Sequence, residues 1–126
     1  MTAYEIMTKA FGLAGESYED FPDKSLAAIW LNITIAESVD AENAIRKKNG
    51  KELLACVPVA GNPAENVDMD TAICAVAIPY GVASYLFNDR EDNYMAAIFR
   101  NRFVTALQNR AKGEEFTIQD VYGGEI

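Results

Sequence analysis

The sequence predicts an all-α fold: a small four-helix bundle with a long middle loop and a strand-prone C-terminal tail. Three observations lead to it. The run TAICAVAIPYGVASYLFN, Thr71 to Asn88, carries no charge, and Asp68, Asp70, Asp89, Arg90, Glu91 and Asp92 bound it. A helix built from it has no solvent face and belongs at the centre of a bundle. Three other segments repeat apolar residues at helical spacing between capping signals. At 126 residues, half of them apolar, the chain is long enough to bury one core without metal or disulfide staples.

The first helix opens on Thr2-Ala-Tyr-Glu5, which has the form of a capping box. Ala3, Tyr4, Met7, Ala10 and Phe11 follow at helical spacing, and Gly12 is the expected stop. About ten residues are too few for a helix to stand alone, so this one must dock. Leu13 to Pro22 reads as a polar connection carrying Tyr18 and Phe21. Asp23 then caps a longer helix to about Lys48. Its expected apolar stripe is Leu26, Ile29, Trp30, Ile33 and Ala36, with Glu37, Asp40 and Glu42 on the wetter side. Arg46, Lys47 and Lys48 complement the carbonyl end of that helix, and Asn49-Gly50 ends it.

From Lys51 to Asp70 the pattern is not helical. Leu53 to Val59 is apolar and extended in character, and Pro58 restricts it to an edge strand or a packed loop. Gly61-Asn-Pro63 marks a turn. Asp70 is placed to cap the central helix. Pro79 lies inside that helix, which should kink near Ile78, while Gly81, Ala83 and Ser84 leave room for a close neighbour. After Asn88-Asp89-Arg90 a last helix runs from about Glu91 to Arg110, with Lys112-Gly113 as its end. Met95, Ile98, Phe99, Phe103 and Leu107 form its apolar stripe. The short break makes it an antiparallel neighbour of the central helix. Tyr80, Leu86, Trp30, Ile33, Phe99 and Phe103 are the expected core. Glu114 to Ile126 is a strand-capable tail with no core of its own.

The search for chemistry returns little. The chain has no histidine, which removes the commonest general base and metal ligand. No phosphate loop, HExxH or nucleophile elbow is present. Asp89, Glu91, Asp92 and Asn93 share a calcium loop's composition but not its order. Cys56 and Cys74 lack CxxC spacing and read as reduced core cysteines. No catalytic residue, cofactor or metal is expected. A net charge of −8 argues against a surface that grips nucleic acid. Met1 leads directly into an amphipathic segment, so no signal peptide and no membrane association are expected. The aromatic-bearing segments, the apolar middle stretch and the tail exceed what a short bundle easily covers, which points to an assembly subunit.

Ile78-Pro-Tyr-Gly-Val-Ala-Ser-Tyr-Leu86, followed by Asp89-Arg-Glu-Asp92, a helix striped with Phe99 and Phe103, and the ending Ile118-Gln-Asp-Val-Tyr-Gly-Gly124, resembles the head–tail connector (adaptor) proteins of tailed phages. The resemblance runs from about Val67 to Ile126, and the N-terminal half matches in helix order. It implies a non-enzymatic virion protein made in the bacterial host cytoplasm. Such subunits form a ring, usually dodecameric, beneath the portal. The ring extends the DNA channel toward a tail-side connector or tail completion protein. Residues 1–113 would be the adaptor domain and 114–126 the portal-binding tail. Phe116, Ile118, Val121, Tyr122, Gly123 and Gly124 would meet the portal. Leu53, Leu54, Val57, Val59 and Val67 are the expected contacts between subunits, because the middle loop is long and apolar. An acidic wall suits a channel through which DNA slides without specific binding. The alternative is a small acidic helical binding or regulatory module acting on a protein partner.

Overall fold

The computed structural model describes residues 1–115, the last three by their backbone. Among them are four α-helices and no strand: α1 (Ala3–Leu13), α2 (Lys24–Lys48), α3 (Ile78–Asp89) and α4 (Asn93–Glu115). A π-helical turn, Ile73–Ala77, leads into α3.

The local chemistry of each helix end is visible. The Thr2 hydroxyl accepts from the Glu5 amide at 3.1 Å, and the Glu5 carboxylate accepts from the Thr2 amide at 3.0 Å, a complete capping box. α1 runs through Gly12, and the reversal falls at Gly15, whose φ of 73° is the left-handed value that glycine adopts without strain. Asp23 caps α2 by accepting from Leu26 N at 3.0 Å. The last helix starts two residues later than its composition suggests. Glu91 sits at φ 60° in the turn, and Asp92 is the cap, accepting from Met95 N at 3.1 Å. Lys112-Gly113 does not stop α4, which continues to Glu115.

Pro79 explains the π-turn. A proline ring collides with the carbonyl four residues back and offers no N–H to it. Here the Ile78 amide bonds to Ile73 O, five residues back, so the helix is widened just ahead of the proline. Near Ile78, where a kink is expected, the structure has this widened turn.

The buried face of α2 differs from the expected one. Ala27, Trp30, Leu31, Thr34, Ile35, Ser38, Glu42 and Ile45 face inward, while Ile29 and Ile33 are 54% and 42% exposed. The stripe is turned by about one residue. Hydroxyls make this possible, because Thr34 and Ser38 donate to the carbonyls of Trp30 and Thr34 at 2.7 and 2.8 Å and so carry no unmet polar group inward. Both are also small, which lets α3 come close. Ile33 is therefore not a core residue, Tyr80 is half-buried with its ring 5.9 Å from Phe99, and Cys56 is exposed rather than in the core. Trp30, Leu86, Phe99 and Phe103 are buried as expected. The aromatics of the first connection find cover inside the chain: Tyr18 and Phe21 meet Phe11 edge-on at 5.4 and 4.8 Å, and Phe21 lies 5.9 Å from Trp30.

α3 is the hub, packed by α1, α2 and α4. At Gly81 the approach is closest. A β-carbon added there would stand 2.5 Å from Thr34 Cγ2 and 3.0 Å from Phe103 Cδ1. Gly81→Ala is therefore expected to cost about 1–3 kcal/mol by overpacking, read by urea denaturation. Adding Thr34→Ser, which removes the colliding methyl and keeps the hydroxyl, should recover part of that loss. A Gly81→Ala chain as stable as the parent would show that the helices are not in contact at this point.

Candidate functional site

Residues 49–70 connect α2 to the central helix, and their path is set by side chains of α2. Gly50, at φ 69°, turns the chain, and Lys51 N donates to Arg46 O at 2.8 Å. Asn43 Oδ1 accepts from Leu54 N at 2.8 Å. Asn32 makes two bonds to Ala60, accepting from its N–H at 2.8 Å and donating to its C=O at 3.2 Å. After the turn at Gly61-Asn-Pro63 the chain pairs with the N-terminus. Ala3 N donates to Glu65 O at 2.9 Å, Tyr4 N to Pro63 O at 2.8 Å, and Val67 N to Met1 O at 2.9 Å. This isolated antiparallel bridge, Thr2 to Asn66, is the sole β-type pairing among the described residues.

Between the two asparagine clamps the chain is open. The backbone C=O groups from Ala55 to Val59, and the N–H groups of all of them but Pro58, have no hydrogen-bond partner among the described residues. Leu53, Val57 and Val59 are 53%, 46% and 70% exposed, and Cys56 is exposed beside them. Leu54 and Pro58 are half-buried. Val67 departs from its expected place: it is buried in the chain's own core, and so is withdrawn from any neighbour. Phe116, Ile118, Val121, Tyr122, Gly123 and Gly124 lie outside the described residues.

The end of the connection is held by ion pairs. Glu42, expected on the wet side of α2, is 3% exposed. Its carboxylate accepts from Arg46 Nε and from the Asp70 amide, each at 2.6 Å. Burial is affordable there because both oxygens are engaged. Arg46 also donates to Asp68 O at 3.1 Å. Asp70 in turn caps the central helix, accepting from Ala72 N and Ile73 N, and receives Arg110 of α4 in a bidentate pair at 2.8 and 2.9 Å. Those Arg110 bonds, with the amide bonds, hold the Asp70 carboxyl below its ordinary range against the opposing effect of burial.

A second surface lies between α2 and α4. It is an open groove of about 580 Å³ with an apolar floor of Ala41, Ala44, Val104, Leu107 and Ala111. At its edge Glu37 pairs with Arg100 and accepts from the Tyr85 hydroxyl at 2.8 Å. Burial pushes the Glu37 carboxyl up, but the bonds from Arg100 and Tyr85 outweigh it and leave it lowered. The groove was overlooked in the sequence although Val104, Leu107 and Ala111 repeat at helical spacing. They extend the Phe99–Phe103 stripe onto a flank that no other element among the described residues covers.

Burial pushes the Cys74 thiol up to about 11, which keeps it protonated at neutral pH. Among the described residues no group of histidine, cysteine and carboxylate side chains is placed to hold a metal, and no helix is long and apolar enough to cross a membrane. Compared with known protein families, curated proteins and solved structures, the chain matches none.

The Asp70–Arg110 pair sets a pH dependence. A folded-state value below the unfolded one means that the pairing stabilises the fold above the unfolded carboxylate value, about pH 4, and fades as pH falls through the lower folded value. The stability gap between the wild type and Asp70→Asn, measured in urea, should hold steady from about pH 7 to 5 and narrow below about pH 4. A gap that persists unchanged into stronger acid would mean that Asp70 is not stabilised as a carboxylate.

Proposed function

We propose that this chain is a structural subunit of a phage head–tail connector, a non-enzymatic adaptor that assembles with identical copies as a ring beneath the portal. The observation that carries the proposal is the stretch Leu53–Val59. It presents exposed apolar side chains and unpaired backbone while both its ends are clamped on α2. An extended apolar strip of this kind is a liability in a monomer and a contact in an assembly. The resemblance of the central helix and its surroundings to adaptor proteins supports the same reading.

In this reading the connection between α2 and the central helix is the long middle loop of a four-helix bundle, and its exposed Leu53, Val57 and Val59, with half-buried Leu54, meet a neighbour. Glu114 and Glu115, expected in the tail, belong to α4; residues 116–126 are the strand-prone tail that reaches the portal, with Phe116 and Tyr122 as aromatic anchors. A strand-prone tail suits β-augmentation, in which main-chain bonds supply affinity and pockets select the side chains. The excess of carboxylates fits a DNA channel, since an acidic wall does not release counterions from the phosphates. The virion, at the head–tail interface, is the site of action.

Deletion of residues 116–126 tests the reading. The truncated chain should keep nearly all of its helical circular dichroism and should fail to attach to portal-bearing heads in a sedimentation assay. Attachment with unchanged affinity would show that the tail is not the portal anchor.

A further inference from the structure

We infer that the stretch Leu53–Val59 of one copy lies in the groove between α2 and α4 of the next, so that identical chains associate head to tail. The inference rests on the connector reading for its premise that copies of this chain meet. It adds which two surfaces do so.

Each surface lacks what the other has. The stretch offers exposed Leu53, Val57 and Val59 and the unpaired peptide groups of Ala55 to Val59. The groove offers an apolar floor, with Asp40 and Gln108, both exposed, along its rim to bond peptide groups. Their charges are complementary. Exposed Lys47, Lys48 and Lys51 precede the stretch, and exposed Asp40 stands at the groove, where Glu37 is already paired with Arg100. Copies that each carry −8 repel overall, so a local match of opposite sign is what selects a docking geometry.

The stretch cannot reach the groove of its own chain. Asn43 holds Leu54, and Asn32 holds Ala60. Asn32 and Asn43 are about three turns apart and share one side of α2, whereas Ala41 and Ala44 stand roughly 120–180° further round it. Two different surfaces on one molecule, which do not meet within the described chain, form a heterologous contact when copies associate, and such a contact closes into a ring or continues as a filament.

Cys56 makes the contact testable, because it is exposed at the middle of the stretch and Cys74 is buried. Gln108→Cys places a second thiol on the groove rim at an exposed position. The full chain with this change, checked for native circular dichroism, is concentrated and treated with a short bismaleimide. A ladder of dimers, trimers and higher species on a denaturing gel is expected, and Cys56→Ser added to the same chain should leave nothing beyond dimers. Cross-linking confined to single chains, Cys56–Cys56 dimers as the sole product, or no cross-linking would each overturn the inference. A ladder from a chain that does not attach to portal-bearing heads would reject the connector reading and uphold the contact. Attachment without a ladder would reject the contact alone.

Discussion

The closeness of three helices at Gly81 governs the rest of the structure. With Thr34 of α2 and Phe103 of α4 against its backbone, α3 has no room for a side chain at that position and none for an unpaired polar group nearby. The neighbouring hydroxyls answer that demand locally. Thr34 and Ser38 bond within α2, and Ser84 donates to Gly81 O at 2.6 Å, so each is buried without calling on another element. No buried side-chain nitrogen or oxygen among the described residues lacks a partner. Small and self-satisfied residues line the crossing, and the large apolar ones, Phe11, Ile35, Leu86 and Phe103, fill the space around it.

One cluster of charges lies at the end of the connection. There Glu42, Arg46, Asp70 and Arg110 tie α2, the connection, the central helix and α4 together. A buried pair of this sort adds little net stability over an apolar substitute, yet losing one member strands the other. Its evident contribution is geometric: Arg46 and Glu42 hold residues 68–70 in place, and Asn43 and Asn32 hold Leu54 and Ala60. The rigid helices thus pin a connection at its ends and leave its centre facing outward. That is the usual division between a rigid scaffold and a surface loop.

Helices and their caps were legible in the sequence because they depend on neighbours within a turn. Thr2, Glu5, Asp23 and Asp70 cap as their spacing implies. Phe99 and Phe103 were legible because aromatics at helical spacing have few alternatives to burial. The face of α2 was not. Ile29 and Ile33 are more apolar than Thr34 and Ser38, and only the contact with Gly81 reverses the preference. Glu42 likewise looked solvated, since its two partners, Arg46 and the Asp70 amide, include one that is distant in sequence. The exposed stretch was half legible. Its apolar character was evident, while the inward turn of Val67 depends on pairing with Met1. The groove emerges only once α2 and α4 are seen side by side.

The bridge between Thr2 and Asn66 bears on the order in which the chain is secured during synthesis. α1 leaves the ribosome before the other three helices, but it is too short to persist alone. The backbone bonds at its start come from Pro63, Glu65 and Val67, and its buried face rests on α3. It must therefore wait until α3 has emerged. Of the four helices, the one made before the others docks only after later ones are made, and through Pro63, Glu65 and Val67 its docking is coupled to the placement of the exposed connection.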